Sequence, residues 1–296
     1  VTGDGRYHRP VLLERIIDYF APLDGVVVDA TVGGAGHAAA LLEASPNLFL
    51  VGLDQDPDAL AEAEARLRRY EGRYRLIRSN FSELPRIIGE IGQGEVRGVY
   101  VDLGVSSHQL DTGERGFSIR HDGPLDMRMD PQATDVIATT IIDRSSVGEL
   151  ADILYQYGEI RTSIRMAKAM KTARRRGALT RTGELAELCK ATLPRKGKIH
   201  PATLVFQALR IAVNDELGAL ERLLAFAPEI LAPGGLLGVI SFHSLEDRRV
   251  KNAFRDGRRD GTWDVLTPRP LIPDEQEEQE NPRSRSAKLR VARRKS

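Results

Sequence analysis

The chain reads as an α/β protein whose doubly wound, mostly parallel sheet is split by an inserted helical domain. Three observations carry that reading. Strand and helix signals alternate through the first hundred residues, strand signals stop near Leu110, and they return at Gly235 to Phe242.

Each element has a local reason. Val26-Val27-Val28-Asp29 is a buried β-branched strand, Gly33-Gly34-Ala35-Gly36-His37 is a tight loop, and Ala38 to Leu42 runs on as helix. The apolar run Leu48-Phe49-Leu50-Val51-Gly52-Leu53 is a second strand and ends on Asp54. Residues 57–70 then predict a helix, with Asp56 as N-cap and Pro57 at the first helical position. Tyr74-Arg75-Leu76-Ile77 is a short third strand, followed by Asn80-Phe81, and Val99-Tyr100-Val101-Asp102-Leu103 is a fourth. Beyond Leu110, residues 147–157, 160–174, 182–191 and 203–224 show helical spacing between Gly-, Pro- and Arg-rich breaks. Ala232-Pro233-Gly234 introduces the returning strand, and the acidic, proline-flanked stretch 273–282 reads as linker or disorder. The expected organisation is a core over 1–109, a helical insertion over 110–211, and a second core part over 212–296 that ends in an acidic linker and a basic tail.

Composition narrows the function classes. At 296 residues, 41% hydrophobic and 29% charged, the chain can bury a substantial core. No apolar run approaches the ~20 residues of a bilayer span, and no signal pattern opens the sequence, so no membrane partner is expected. Cys189 is the only cysteine, which excludes disulfides and cysteine-rich metal sites and suits a reducing cytoplasm. The six histidines show no paired spacing that calls for a metal. Net charge is +1 but uneven. Residues 161–200 hold twelve Lys/Arg against Glu184 and Glu187, and residues 281–296 hold seven Lys/Arg and no acid. Two basic segments on an otherwise acidic chain predict polyanion contact. Lys171, Arg174, Arg175, Arg176, Arg181, Arg195, Lys196 and Lys198 are the candidate phosphate contacts.

The glycine loop admits two ligands. Gly34-x-Gly36-x-x-Ala39 fits a dinucleotide fingerprint, which by itself is weak. Asp29 at the strand end would repel a pyrophosphate and suits a ligand carrying an amino group and a sulfonium, such as S-adenosylmethionine. Asp54 is placed to accept hydrogen bonds from both hydroxyls of a ribose. Phe81 fits either an adenine face or the core. Asp102 ends the fourth strand, beside the first, where donor and acceptor would meet. His243, at another strand end, is a candidate for orienting substrate or moving a proton. Ser106 and Ser107 lack the strand–turn–helix elbow of a hydrolase.

Longer strings run in register from end to end. They include His8-Arg9-Pro10-Val11-Leu12-Leu13, the 33–37 loop, Gly52-Leu53-Asp54-Gln55-Asp56-Pro57, and Asp102-Leu103-Gly104-Val105-Ser106-Ser107 through Gln109-Leu110-Asp111. They continue with Arg115-Gly116-Phe117-Ser118, Gly123-Pro124-Leu125-Asp126-Met127-Arg128-Met129-Asp130, Pro201-Ala202-Thr203, the segment 241–251, and Arg283-Ser284-Arg285-Ser286-Ala287-Lys288-Leu289-Arg290. On these the chain resembles the bacterial 16S ribosomal RNA cytosine N4-methyltransferase family, RsmH or MraW. The resemblance implies a Rossmann-like methyltransferase domain and S-adenosylmethionine as cofactor. Its implied substrate is the exocyclic amine of one cytidine in the decoding region of 16S rRNA, within the small ribosomal subunit. It maps cofactor contacts onto Ala35, Gly36, His37, Asp54, Phe81, Asp102 and Gln109, beside Asp29, Gly33 and Gly34 from the loop reading. Ala35 stands where the family has glycine, and His108 where it commonly has proline.

The chemistry agrees on one point. Methylation at cytosine carbon 5 needs a cysteine nucleophile, and Cys189 lies in the basic helical stretch, away from every strand end. Methylation at N4 needs in-line placement and a hydrogen-bond acceptor for the amine. Asp102, or a carbonyl between Leu103 and Ser106, suits that role, so Asp102, Ser106 and His243 are the catalytic candidates. Two other classes are weighed. A DNA amino-methyltransferase usually carries a proline-rich loop ending in an aromatic after the fourth strand, and residues 103–107 have neither. A non-enzymatic RNA-binding scaffold would not need the intact strand-end acids. A homodimer is left open.

Overall fold

A computed structural model describes residues 10–92, 94–194 and 200–296. The chain forms two compact units, Val1–Gly104 with Leu217–Ser296, and Val105–Glu216.

The first unit is built on a seven-stranded sheet. Its strands are β1 (Gly25–Asp29), β2 (Leu48–Asp54), β3 (Tyr74–Arg78), β4 (Val96–Asp102), β5 (Leu231–Ser241), β6 (Trp263–Val265) and β7 (Lys288–Arg294). They lie in the order β3-β2-β1-β4-β5-β7-β6. The first five are mutually parallel, while β7 is antiparallel to both β5 and β6. Chain order therefore reverses between β1 and β4, and a doubly wound sheet opens a crevice at the carboxyl ends there. Helices α1 (Leu13–Phe20), α2 (Gly36–Ala44), α3 (Pro57–Leu67) and α4 (Leu84–Ile91) belong to this unit. Asp56 caps α3 by accepting from the Asp58 amide at 3.1 Å, with Pro57 in the first turn as expected.

Glycine in the middle of β4 and β5 has a packing reason. A Cβ at Gly98 or Gly238 would come within 2.8 Å and 2.9 Å of the Phe20 ring. Phe20, fully buried at the end of α1, lies across that smooth patch with its ring centroid 5.2 Å from that of Tyr100. Helix and sheet are thus locked by one aromatic.

The second unit holds the helices α5 (Ser107–Asp111), α6 (Ala138–Arg144), α7 (Val147–Gly158), α8 (Ser163–Arg175), α9 (Thr182–Thr192) and α10 (Thr203–Asn214). They close on a core of Leu150, Leu154, Met166, Met170, Leu185 and Leu209. The motif stretch before α6 is a clamp. Asp126 and Arg128 pair through two bonds of 2.7 and 2.8 Å, and the Asn214 amide holds both Met127 O and Met129 N at 2.8 Å. A Cβ on Gly123 would strike the Gly113 carbonyl oxygen, so glycine is required there.

Five expectations are corrected. The helical spacing over 203–224 is two helices, α10 and α11 (Glu216–Ile230), broken where Asp215 takes a left-handed φ of 49°. The stretch 273–282 is no plain linker, since α13 (Glu275–Glu280) forms there with Asp274 as N-cap. The basic end is a strand and not a tail. Leu289, Val291 and Ala292 of β7 are buried between β5 and β6, and Arg290 is buried against Asp247 at 2.7 Å. The returning strand begins earlier, at Leu231, and passes into α12 (Ser244–Asp260). The helical unit itself spans 105–216, against 110–211 expected from the sequence.

Candidate active site

Strand alternation and parallel register bring Asp29, Asp54 and Asp102 to the carboxyl ends of β1, β2 and β4, as the sequence predicts. Their surroundings differ, and the differences separate their roles.

Asp29 is turned inward and 1% exposed. Tyr100 Oη donates to one oxygen at 2.7 Å and the Thr31 amide donates to the other at 3.2 Å. Burial first, then the Asp54 charge, push its carboxyl up to about 7 against those two donors. Asp29 thereby fixes the loop from beneath.

The loop itself turns on Gly33, with φ of 50°, and on Ala35, with φ of 57° as the residue before α2. Left-handed alanine costs roughly 1–2 kcal/mol, which is why glycine is the commoner residue at such a position. Gly36 is needed for space, because a Cβ there would lie 2.4 Å from Pro10 Cγ. The loop delivers the N-terminus of α2, whose first amides have no intrahelical acceptor. His37 lies in that first turn but points into the core. Its Nε2 is 2.9 Å from the Val11 carbonyl, and burial lowers its pKa to about 4, so it is neutral and donates there. Only its backbone is placed to meet a ligand.

Asp54 anchors the other wall. Its oxygens accept from the Gly33 amide and the Asp56 amide, each at 2.9 Å. The Gln55 amide is a third donor to this carboxylate, which leaves about one of its four lone-pair sites for a ribose hydroxyl. Phe81 opens a short 3-10 turn after β3 and is 9% exposed within the main hydrophobic cluster, so most of its ring serves the core.

Asp102 differs from both. Its backbone amide donates to Thr31 Oγ1 at 2.7 Å, yet its Oδ1 is buried and has no partner among the described residues. Burial, then the charges of Asp29 and Glu246, push its carboxyl up to about 8. A buried acceptor without a donor costs about 1–3 kcal/mol, so this atom is positioned for a donor or cation that arrives with a ligand.

Glu246 is the residue the sequence reading did not single out. It is 2% exposed in the first turn of α12, and one oxygen accepts from the Phe242 and His243 amides at 2.8 and 3.2 Å. The His-x-x-Glu spacing of a capping box was the available signal. His243 lies directly against Glu246. Its Nδ1 accepts the Glu246 amide at 3.4 Å, and its Nε2 lies 3.1 Å from Glu246 Oε1. Nδ1 is thereby used as a helix cap, while Nε2 is buried and makes no hydrogen bond among the described residues.

Ser106 and Gln109 belong to the second unit, where they cap α5 reciprocally. The Ser106 amide donates to Gln109 Oε1 at 3.0 Å and the Gln109 amide donates to Ser106 Oγ at 3.2 Å. The Ser106 hydroxyl is thus a helix cap. Of the expected phosphate contacts, Lys171, Arg174 and Arg181 are engaged inside the unit and Arg175 and Arg176 are exposed. Arg195, Lys196 and Lys198 lie outside the described residues. Among the described residues no group of His, Cys, Asp or Glu could hold a metal ion, and no helix is long and apolar enough to cross a membrane.

A reversed-order parallel sheet closed by an antiparallel seventh strand, with a glycine loop, a ribose-type acid and an acceptor-edge acid, defines a Rossmann-like methyltransferase. The chain belongs to the MraW methylase family, whose model matches residues 5–295. It is 49% identical over 298 residues to the ribosomal RNA small subunit methyltransferase H of Synechococcus sp. (strain CC9605), covering 97% of each chain. It is 51% identical to the protein of that name from Prochlorococcus marinus (strain MIT 9303), over 99% of this chain and 94% of the relative. With that from Heliobacterium mobile it shares 46%, over 97% and 98%. Among solved structures, an rRNA methylase from Streptococcus thermophilus aligns over 95% of this chain and 94% of its own, with 13% identity and a TM-score of 0.43. The cofactor of the family is S-adenosylmethionine, and the residues present fit it: a glycine cradle before a helix N-terminus, Asp54 with a remaining acceptor site, and the orphaned oxygen of Asp102.

Proposed function

We propose that this chain methylates the N4 amine of a cytidine in the decoding region of 16S rRNA within the small ribosomal subunit. The small-subunit rRNA substrate is supported by the names of its relatives, which cover nearly the whole chain. The single observation that carries the choice of atom is Asp102 Oδ1, a buried acceptor without a partner at the end of β4.

S-adenosylmethionine, when bound, supplies an electrophilic methyl group on a sulfonium. Asp54 and the amides at the start of α2 hold such a ligand, and Asp29, through the Thr31 amide and Tyr100, keeps the loop in shape. Asp102 accepts an N–H of the target amine. That hydrogen bond draws the nitrogen lone pair out of the ring and strengthens as charge develops on nitrogen, which is the condition for transition-state stabilisation. A proton then leaves the amine to Asp102 or to water. A thiolate route to carbon 5 is disfavoured by Cys189, which is fully buried in the helical core with its thiol pushed up to about 12 by burial.

The test is transfer of labelled methyl groups to small subunits from cells lacking this enzyme, followed by digestion and mass spectrometry. N4-methylcytidine is the expected product. A methyl on cytosine carbon 5, or no transfer to small subunits, would refute the reading.

A further inference from the structure

The helix α8 carries Arg165, Lys168, Lys171, Arg174 and Arg175 and no acid. The structure sorts these five cations into two groups. Lys171 Nζ donates to the carbonyls of Ile142, Asp143 and Ser145 at 2.8–2.9 Å, closing the end of α6. Arg174 pairs with the Asp143 carboxylate through bonds of 2.8 and 2.5 Å and also reaches the Ala178 and Leu179 carbonyls. Those two hold the unit together and are not free for phosphates.

The other three share the adjoining face. Ile164, Arg165, Lys168, Thr172 and Arg175 fall within about 100° of helix circumference at 3.6 residues per turn, and all are exposed. None of Arg165, Lys168 and Arg175 pairs with a carboxylate among the described residues. From Arg165 to Arg175 the row is about 15 Å long at 1.5 Å per residue. Only three large apolar side chains are exposed among the described residues, and two of them stand at one end of this row. They are Ile164, 61% exposed in the first turn of α8, and Tyr155, 59% exposed in the last turn of α7. A row of unpaired cations with an exposed aromatic at its end matches an RNA strand, whose phosphates need charge and whose unstacked bases need a ring. A membrane surface would ask for a broad apolar face, which this helix lacks.

Resting on the rRNA reading above, we propose that the outer face of α8 is the docking surface for small-subunit rRNA. Arg165, Lys168 and Arg175 meet backbone phosphates, and Tyr155 stacks on an unpaired base beside Ile164.

The test compares wild type with R165E/K168E/R175E, its neutral counterpart R165Q/K168Q/R175Q, Tyr155→Ala and Tyr155→Phe, on small subunits from cells lacking the enzyme. Both triple variants are expected to keep wild-type cofactor affinity and melting temperature and to raise KM for particles about tenfold or more. The salt slope of particle binding should fall by about 2, from three lost contacts at ~0.7 each. Tyr155→Ala should raise KM and Tyr155→Phe should not. If wild type methylates the particles and both triple variants match it in KM and salt slope, the docking surface is refuted while the rRNA reading stands. If wild type itself transfers no methyl to particles, the reading beneath the proposal fails. Variants that lose only adhesion to phosphatidylserine vesicles would overturn the proposal in favour of a membrane contact.

Discussion

The carboxyl of Asp102 makes cofactor affinity depend on pH, and Asp102→Asn is the perturbation that exposes it. In the free protein, burial and the neighbouring charges of Asp29 and Glu246 hold this group protonated up to about pH 8. A sulfonium bound near this carboxylate reverses the balance and favours the ionised form, so binding releases a proton. For a group at about 8 that ionises fully in the complex, linkage gives a rise in affinity of roughly 50-fold between pH 6 and pH 8. The cofactor's own amino group titrates in the same range. S-adenosylhomocysteine has that amino group and no sulfonium charge, so the ratio of the two affinities cancels the ligand's titration. Calorimetry at pH 6, 7 and 8 should show this ratio climbing for wild type and flat for Asp102→Asn, with turnover of the variant falling more than its cofactor affinity. The sign for folding is the opposite. A raised carboxyl contributes stability that is present below its unfolded value near 4 and is lost as pH rises through about 7–8, so the ligand-free protein should melt lower at pH 8 than at pH 5. A pH-independent ratio in wild type, or an unaltered slope in Asp102→Asn, would refute the reasoning.

Three further outcomes are expected. Asp54→Ala should weaken S-adenosylmethionine binding by about 1.5–3 kcal/mol by calorimetry, since it removes charge-assisted acceptors and releases the Gly33 and Asp56 amides; unchanged affinity in a folded protein would remove Asp54 from the site. Cys189→Ser should leave methyl transfer unchanged in a radiolabel assay while lowering stability by about 1–2 kcal/mol in a thermal melt, because a hydroxyl replaces a thiol in an apolar core; a folded but inactive variant would restore a thiol mechanism. Truncation after Ala287 should yield no cooperative melt by circular dichroism, since β7 pairs with both β5 and β6 and carries four buried residues; a cooperatively folding, active truncation would return the basic end to the status of a tail.

The parts of the fold that were legible in sequence are those whose signal is local. Val26 to Val28 and Leu48 to Leu53 read as buried strands from apolar runs alone, and Asp56-Pro57 marks a helix start through one side chain and one ring. What stayed hidden depends on partners far along the chain. Strand β7 alternates buried Leu289 and Val291 with Lys288, Arg290 and Arg293, so its charge masked it, and the charge of Arg290 is tolerated only because Asp247 meets it at 2.7 Å. Lys171 and Arg174 looked like free cations until the end of α6 and Asp143, some thirty positions away, took them up.

The three strand-end acids show the same limit and also its use. From sequence Asp29, Asp54 and Asp102 are equivalent, one acid after each apolar run. Tyr100, seventy-one positions from Asp29, and the Thr31 amide each donate to one oxygen of the first, which is 1% exposed. The Gly33, Asp56 and Gln55 amides all donate to the second and leave it about one acceptor site. Nothing among the described residues meets Oδ1 of the third, although it is the most strongly held in its neutral form of the three, at about 8 against about 7 and about 6. A fold that leaves its most costly carboxylate unsatisfied gains nothing from it in the free state. A cation or an N–H donor would supply the missing partner, so partner count, and not position at a strand end, is what supports the proposed role of Asp102 as acceptor.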